Sequence, residues 1–192
     1  MDIKSICNNK YLIVSIVGTH AGEGIEKIIK RKQEEIKIAG KSFWLIISNE
    51  AKVEQIQKMC KEAFNEGITP YCIFISPKQI NGAKATKISD LALSYSIDGK
   101  TYLKIPKGIK VTGKIQKNTT GMVFEDIVAI SDKIINLNNF LNYNSKDKKV
   151  KLGLGRSTMC VLKTNDFLEN KDNREIIAVA KLKEPYAVKL RK

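Results

Sequence analysis

The chain has 192 residues, 43% of them hydrophobic, with a formal net charge of +14. That length and apolar content suit a single domain of residues 1–192, no apolar run approaches the roughly 20 residues of a membrane helix, and the opening MDIKSICNNK lacks the apolar core of a secretory leader, so a cytoplasmic location is expected. The four cysteines, Cys7, Cys60, Cys72 and Cys160, form no CxxC pair and have one histidine for company, which excludes a structural zinc site of ordinary spacing; neither metal nor cofactor is called for.

In chain order, residues 11–17 (YLIVSIV) read as an apolar strand, followed by the loop Gly18-Thr19-His20-Ala21-Gly22-Glu23-Gly24. Residues 25–40 then read as an amphipathic helix with Ile25, Ile28, Ile29 and Ile36 inward, and residues 41–47 (KSFWLII) as a second strand. A second helix is expected over 50–67, with Val53, Ile56, Met59, Cys60, Ala63 and Phe64 on one stripe and Gly67 as its stop. Residues 71–76 (YCIFIS) make a third strand. Two strand–helix–strand passes predict a βαβαβ-like unit with mostly parallel strands over about 1–80.

The remainder, about 85–192, reads as an antiparallel β-rich portion fused to that unit around one shared core, an α/β (α+β) fold. Residues 78–87 are the polar seam. Asp98-Gly99 between two alternating runs is a hairpin signal. Residues 122–130 read as a strand, 131–143 as a helix capped by Ser131, and 142–149 as an exposed polar loop. An apolar strand ends near residue 163, and the last strand spans 176–190, with Pro185 marking an edge or a bulge.

The loop from Gly18 to Gly24 is the leading candidate site. A strand feeding a glycine-punctuated turn into a helix N-terminus gathers backbone N–H groups and the positive end of the helix dipole, which favours phosphate. Its spacing is neither the dinucleotide fingerprint nor the P-loop, and Gly40-Lys41-Ser42 follows a helix instead of opening one. His20, the only histidine, is the sole group for imidazole chemistry, as a neutral hydrogen-bonding partner or a general base. Glu23 stands in the first turn, and Trp44 offers a stacking surface for a base. A second cluster, Gly153-Leu154-Gly155-Arg156-Ser157-Thr158, sets one arginine among glycines and hydroxyls, a reasonable anion nest. The ligand-binding set is therefore Gly18, Thr19, His20, Gly22, Glu23, Gly24, Trp44, Gly155, Arg156, Ser157 and Thr158.

Thirty of the 34 basic residues are lysine, and only Arg31, Arg156, Arg174 and Arg191 are arginine. Codon bias writes such a composition as readily as selection for a binding face does, yet the field still concentrates anions. The reading favoured by many anion donors and few catalytic groups is non-enzymatic binding of a phosphate-bearing, nucleotide-derived ligand such as a signalling nucleotide. It includes sequestration of the kind used in phage–host conflict, and a homo-oligomer is compatible with it. Two alternatives stay open: a DNA- or RNA-binding module using the lysine surface, and a phosphoester- or nucleotide-processing enzyme with His20 as base.

Overall fold

The computed structural model describes residues 1–17, 24–46, 51–76, 94–97, 101–104, 119–150, 158–164 and 172–191. A short helix α1 (Ile3–Cys7) precedes β1 (Tyr11–Ile16). Then come α2 (Ile25–Ala39), β2 (Ser42–Ile46), α3 (Val53–Asn65) and β3 (Tyr71–Ile75). The hairpin strands β4 (Ser94–Ile97) and β5 (Thr101–Lys104) lead to β6 (Thr120–Ala129). β7 (Ile134–Asn136), a 3-10 turn (Leu137–Asn139), β8 (Phe140–Asn142), β9 (Ser145–Lys149), β10 (Thr158–Lys163) and β11 (Asn173–Arg191) complete the chain.

Eight strands form one sheet in the order β2-β6-β11-β3-β1-β10-β8-β9, with β4 and β7 attached to β11. The α/β class with one shared core holds. Within it, among the described residues, parallel pairing is limited to β1 and β3, where Ile13 faces Cys72 and Ile16 faces Ile75. β2 does not return beside β1; it crosses to the far end and pairs antiparallel with β6. β11 fills the space between, bonded to β3 on one side and to β6 on the other.

The sheet is buried on both faces, which explains the unbroken apolar runs of β1 and β3. One face carries α2 and α3 over Ile13, Cys72, Phe74, Met122, Phe124, Cys160 and Ala180. The other packs α1 and the Leu137 turn over Leu12, Val14, Ile73, Ile75 and Val161. α3 ends at the predicted Gly67 and α2 at Gly40, which take φ of +73° and +70°, the left-handed conformation a glycine stop requires. α3 buries Val53, Ile56, Met59, Cys60 and Ala63 as its spacing predicts. Phe64 is the exception, 67% exposed in the last turn, and Gln57 takes the inward position on that side, donating to the Ala187 carbonyl at 2.8 Å.

Three expectations are corrected. Residues 131–143 form no helix. Asn136 and Asn142 each accept a hydrogen bond from the backbone N–H two residues on, at 3.1 and 2.8 Å, and such turns compete with helix. β11 then offers a partner edge, pairing Arg174 with Ile135. The polar run 142–149 is mostly strand, because β9 pairs with β8 through its backbone and needs no apolar pattern to do so. Pro185 lies in a central strand, where the β11–β6 register shifts between Leu182 and Ala187, so the bulge reading holds and the edge reading does not. The Asp98-Gly99 turn lies outside the described residues, but the strands on either side of it pair antiparallel as a hairpin requires, Ile97 with Thr101.

Candidate functional site at the carboxyl ends of β1 and β3

β1 and β3 run side by side in the same direction, so their carboxyl ends share one edge of the sheet. β10 is antiparallel to β1, and its first residue, Thr158, stands opposite Ser15. The chain thus leaves β1 toward residues 18–23, and arrives from 151–157 into β10, on adjacent strands at that edge. Gly18, Thr19, His20, Gly22, Glu23, Gly155, Arg156 and Ser157 lie outside the described residues. Gly24, Trp44 and Thr158 lie within them.

Thr158 is buried, and its hydroxyl shares a 2.7 Å hydrogen bond with that of Ser15, also buried. Two hydroxyls inside an apolar strand pair need such a partner, because an unpaired buried hydroxyl costs about 1–3 kcal/mol. Ser15 is also in register with Phe74 of β3. Phe74 is fully buried, and its ring centroid lies 4.3 Å from that of Trp44, with the planes tilted by 42°. β6 and β11 lie between the strands that carry these two rings, and Trp44 is in register with Met122 while Phe74 is in register with Ala178, whose β6 partner is Ala129, so the sheet bends strongly to bring the rings together. Trp44, Phe74, Ser15 and Thr158 thus form a continuous row on the helix-bearing face, with Trp44 only half-buried. Of the residues nominated from the sequence, Trp44 and Thr158 fall in this row, and Ser15 and Phe74, which were not nominated, complete it. The signal for Ser15 was there: it is the one hydroxyl in YLIVSIV.

Gly24 is the residue before the first turn of α2 and has no side chain to cap it. Its φ of −65° is open to any residue, and a Cβ built on it would meet nothing within 4 Å. The glycine is therefore not demanded by backbone strain or by packing. Among the described residues the space beside it is open, at a helix end whose N–H groups favour negative charge.

Two further groups of polar side chains are tied into ion pairs and hydrogen bonds. Glu125, in the carboxylate pair Glu125-Asp126, takes ion pairs from Lys181 at 2.8 Å and Lys183 at 3.2 Å, which hold its carboxyl below the usual range. At the opposite end of the sheet the Tyr11 hydroxyl donates to Glu66 at 2.6 Å, Lys10 pairs with the same carboxylate at 2.8 Å, and Tyr143 bonds Glu62. Burial and that bond push the Tyr143 hydroxyl far up, so it stays protonated. Among the described residues no group of three or more His, Cys, Asp or Glu side chains could hold a metal ion.

Three of the scattered cysteines converge. Ile13 is in register with Cys72 on one side and Cys160 on the other, and Cys60 of α3 belongs to the same core. Burial pushes Cys60 and Cys72 well above the ordinary thiol range and Cys160 up to about 12, so none supplies a thiolate at neutral pH. Titration of the native protein with an aromatic disulfide reagent is expected to modify at most the half-buried Cys7 within minutes, and all four thiols in denaturant. Rapid native reaction of two or more would show that the core opens readily.

No protein-family model, curated protein or solved structure matches this chain.

Proposed function

We propose that this protein binds a phosphate-bearing, nucleotide-derived ligand at the carboxyl end of β1, holding it without transforming it. The observation that supports this most is the register of Ser15 with Thr158, which sets the flanks of both glycine-rich segments on adjacent strands. In sheets with parallel strands, ligands bind beyond the carboxyl ends. An uncapped helix N-terminus with open space at Gly24 follows on one side. The half-buried indole of Trp44 stands on the same face as a surface for a base. His20, Arg156 and Ser157 supply further donors in this reading, and sequestration of a signalling nucleotide is the mode of action it suits. The net charge of +14 keeps a second reading, a polynucleotide-binding surface, in play.

Thermal melting against nucleotides, cyclic oligonucleotides, ADP-ribose derivatives and short DNA and RNA, at low and physiological salt, separates the two. A ligand at about 100 times its Kd adds roughly 2.7 kcal/mol, a rise of about 5–10 °C for a chain of this size. The expected result is a saturable rise with one small nucleotide that survives salt and is lost in His20→Ala and Arg156→Ala. Gly24→Asp gives a sharper test. Its carboxylate caps α2, leaving the unliganded melting temperature unchanged or higher, while it occupies the position an anion would take. That variant should melt normally and lose the ligand-induced rise. A rise seen only with polynucleotides and erased by salt would overturn the reading in favour of the second.

A further inference from the structure

Arg174 opens β11 at the same edge of the sheet. It lies two residues outward from Ile176, which pairs with Ile75, itself the partner of Ile16. Next to it, the Glu175 carbonyl accepts a hydrogen bond from Ser76, at the end of β3. The side chain is buried, 6% exposed, on the side of its register partner Ile135 and of Ile176. One flank of the guanidinium is satisfied: Nε donates to Asp172 Oδ1 at 2.7 Å and Nη2 to Oδ2 at 3.4 Å. Nη1 is buried and has no hydrogen-bond partner among the described residues.

An arginine held side-on by one carboxylate keeps its end-on fork, Nη1 with the second Nη2 hydrogen, for another planar or tetrahedral oxyanion. Folded proteins seldom bury a guanidinium nitrogen with nothing to donate to, and a missing ion is one of the few explanations for such a group. The bond to Asp172 also fixes the fork, so little side-chain freedom is lost when an anion arrives. The geometry points to Arg174 as a second oxyanion-binding residue at this edge. It sits on the face opposite Ser15 and Thr158 and two strands away from β1, about 10 Å. A ligand that reaches both faces must pass over the strand ends and carry more than one phosphoryl group. The inference rests on the proposed function and narrows the ligand to a nucleotide with two or more phosphates.

The test is calorimetric titration of the wild-type chain and of Arg174→Lys with the 5′-mono- and 5′-diphosphates of the four common ribonucleosides. Lysine keeps the charge beside Asp172 and removes the fork. The expected result is that the wild type binds the diphosphate of its preferred base about tenfold or more tighter than the monophosphate, and that Arg174→Lys keeps monophosphate binding while this preference falls to near one. If the wild type binds monophosphates with no preference for diphosphates, or if the lysine variant keeps the preference, the inference is overturned and the proposed function stands. If the wild type binds none of the eight, the inference is overturned, and the melting panel above decides the proposed function separately. Should the lysine variant fail to melt cooperatively, 15N-arginine side-chain spectra of the wild type decide: the Arg174 Nε–H signal should move on adding the diphosphate and not the monophosphate, and an unmoved signal overturns the inference.

Discussion

Replacing Glu35 with alanine is expected to lower stability by about 3–5 kcal/mol, and the melting temperature by roughly 6–20 °C. Glu35 is 2% exposed and lies on the core-facing stripe of α2, beside Ile29 and Ile36. Its carboxylate accepts from Lys32 Nζ at 2.7 Å, from Arg31 Nη1 at 3.4 Å and from the Ser42 hydroxyl at the start of β2. Lys32 is itself buried. Its ammonium was taken out of water on folding, and the carboxylate against it offsets much of that cost. Removing Glu35 leaves the cost and takes away the part of the offset that this carboxylate supplies, so the loss exceeds what the pair contributes as a pair. The control follows from the same reasoning: Lys32→Met with Glu35→Leu fills the volume with apolar atoms and should return most of the lost stability. Urea unfolding of the wild type, the single variant and the double variant checks both statements. A loss under about 1 kcal/mol for Glu35→Ala would mean that Lys32 reaches water or sheds its proton, and that the buried pair is not what ties α2 to β2.

This pair also shows where sequence reading loses its grip. The stripe of Ile25, Ile28, Ile29 and Ile36 predicts the inward face of α2, and Ile29 is buried there with Ile25 and Ile36 packed against the same core. Nothing in the periodicity says that Lys32 and Glu35, both polar, share that face. Elements whose pattern is carried by local chemistry were legible: the apolar runs of β1 and β3, the glycine stop at Gly67, and the antiparallel pairing across Asp98-Gly99. The segment 131–143 was not, because its spacing of isoleucines and leucines suits a helix while its asparagines make turns and an existing strand edge waits for it. The candidate site was legible by residue type and not by arrangement. Ser15 and Thr158 are 143 positions apart, and only the antiparallel register of β1 with β10 makes them partners. Cys60, Cys72 and Cys160 read as scattered for the same reason, as did the link from Trp44 to Phe74, which depends on the curl of the sheet.

The second large effect is expected at Phe74. Phe74→Ala should cost about 3–5 kcal/mol. The ring is fully buried in the central strand β3, in register with Ser15 on one side and Ala178 on the other. Its in-register neighbours Ser15 and Ala178 are too small to close over the void, and a cavity that collapses only in part carries most of the penalty. Part of the cost is specific to the contact with Trp44, because a tilted aromatic pair contributes about 0.5–1.5 kcal/mol beyond its buried area. A double-mutant cycle of Phe74→Leu with Trp44→Leu isolates that part: a coupling near 1 kcal/mol is expected, and a coupling near zero would mean the rings touch without supporting each other. Trp44 is the only tryptophan, so its emission reports the same contact directly. With leucine at position 74 the indole loses its ring partner, and the emission should shift to the red while the fold persists. Comparing nucleotide binding in Phe74→Leu and wild type then decides what the row is for. Weakened binding in a folded Phe74→Leu protein would tie the orientation of Trp44 to the ligand. Unchanged binding alongside a red-shifted emission would make Trp44 and Phe74 core alone, and leave the site to the strand ends and the N-terminus of α2.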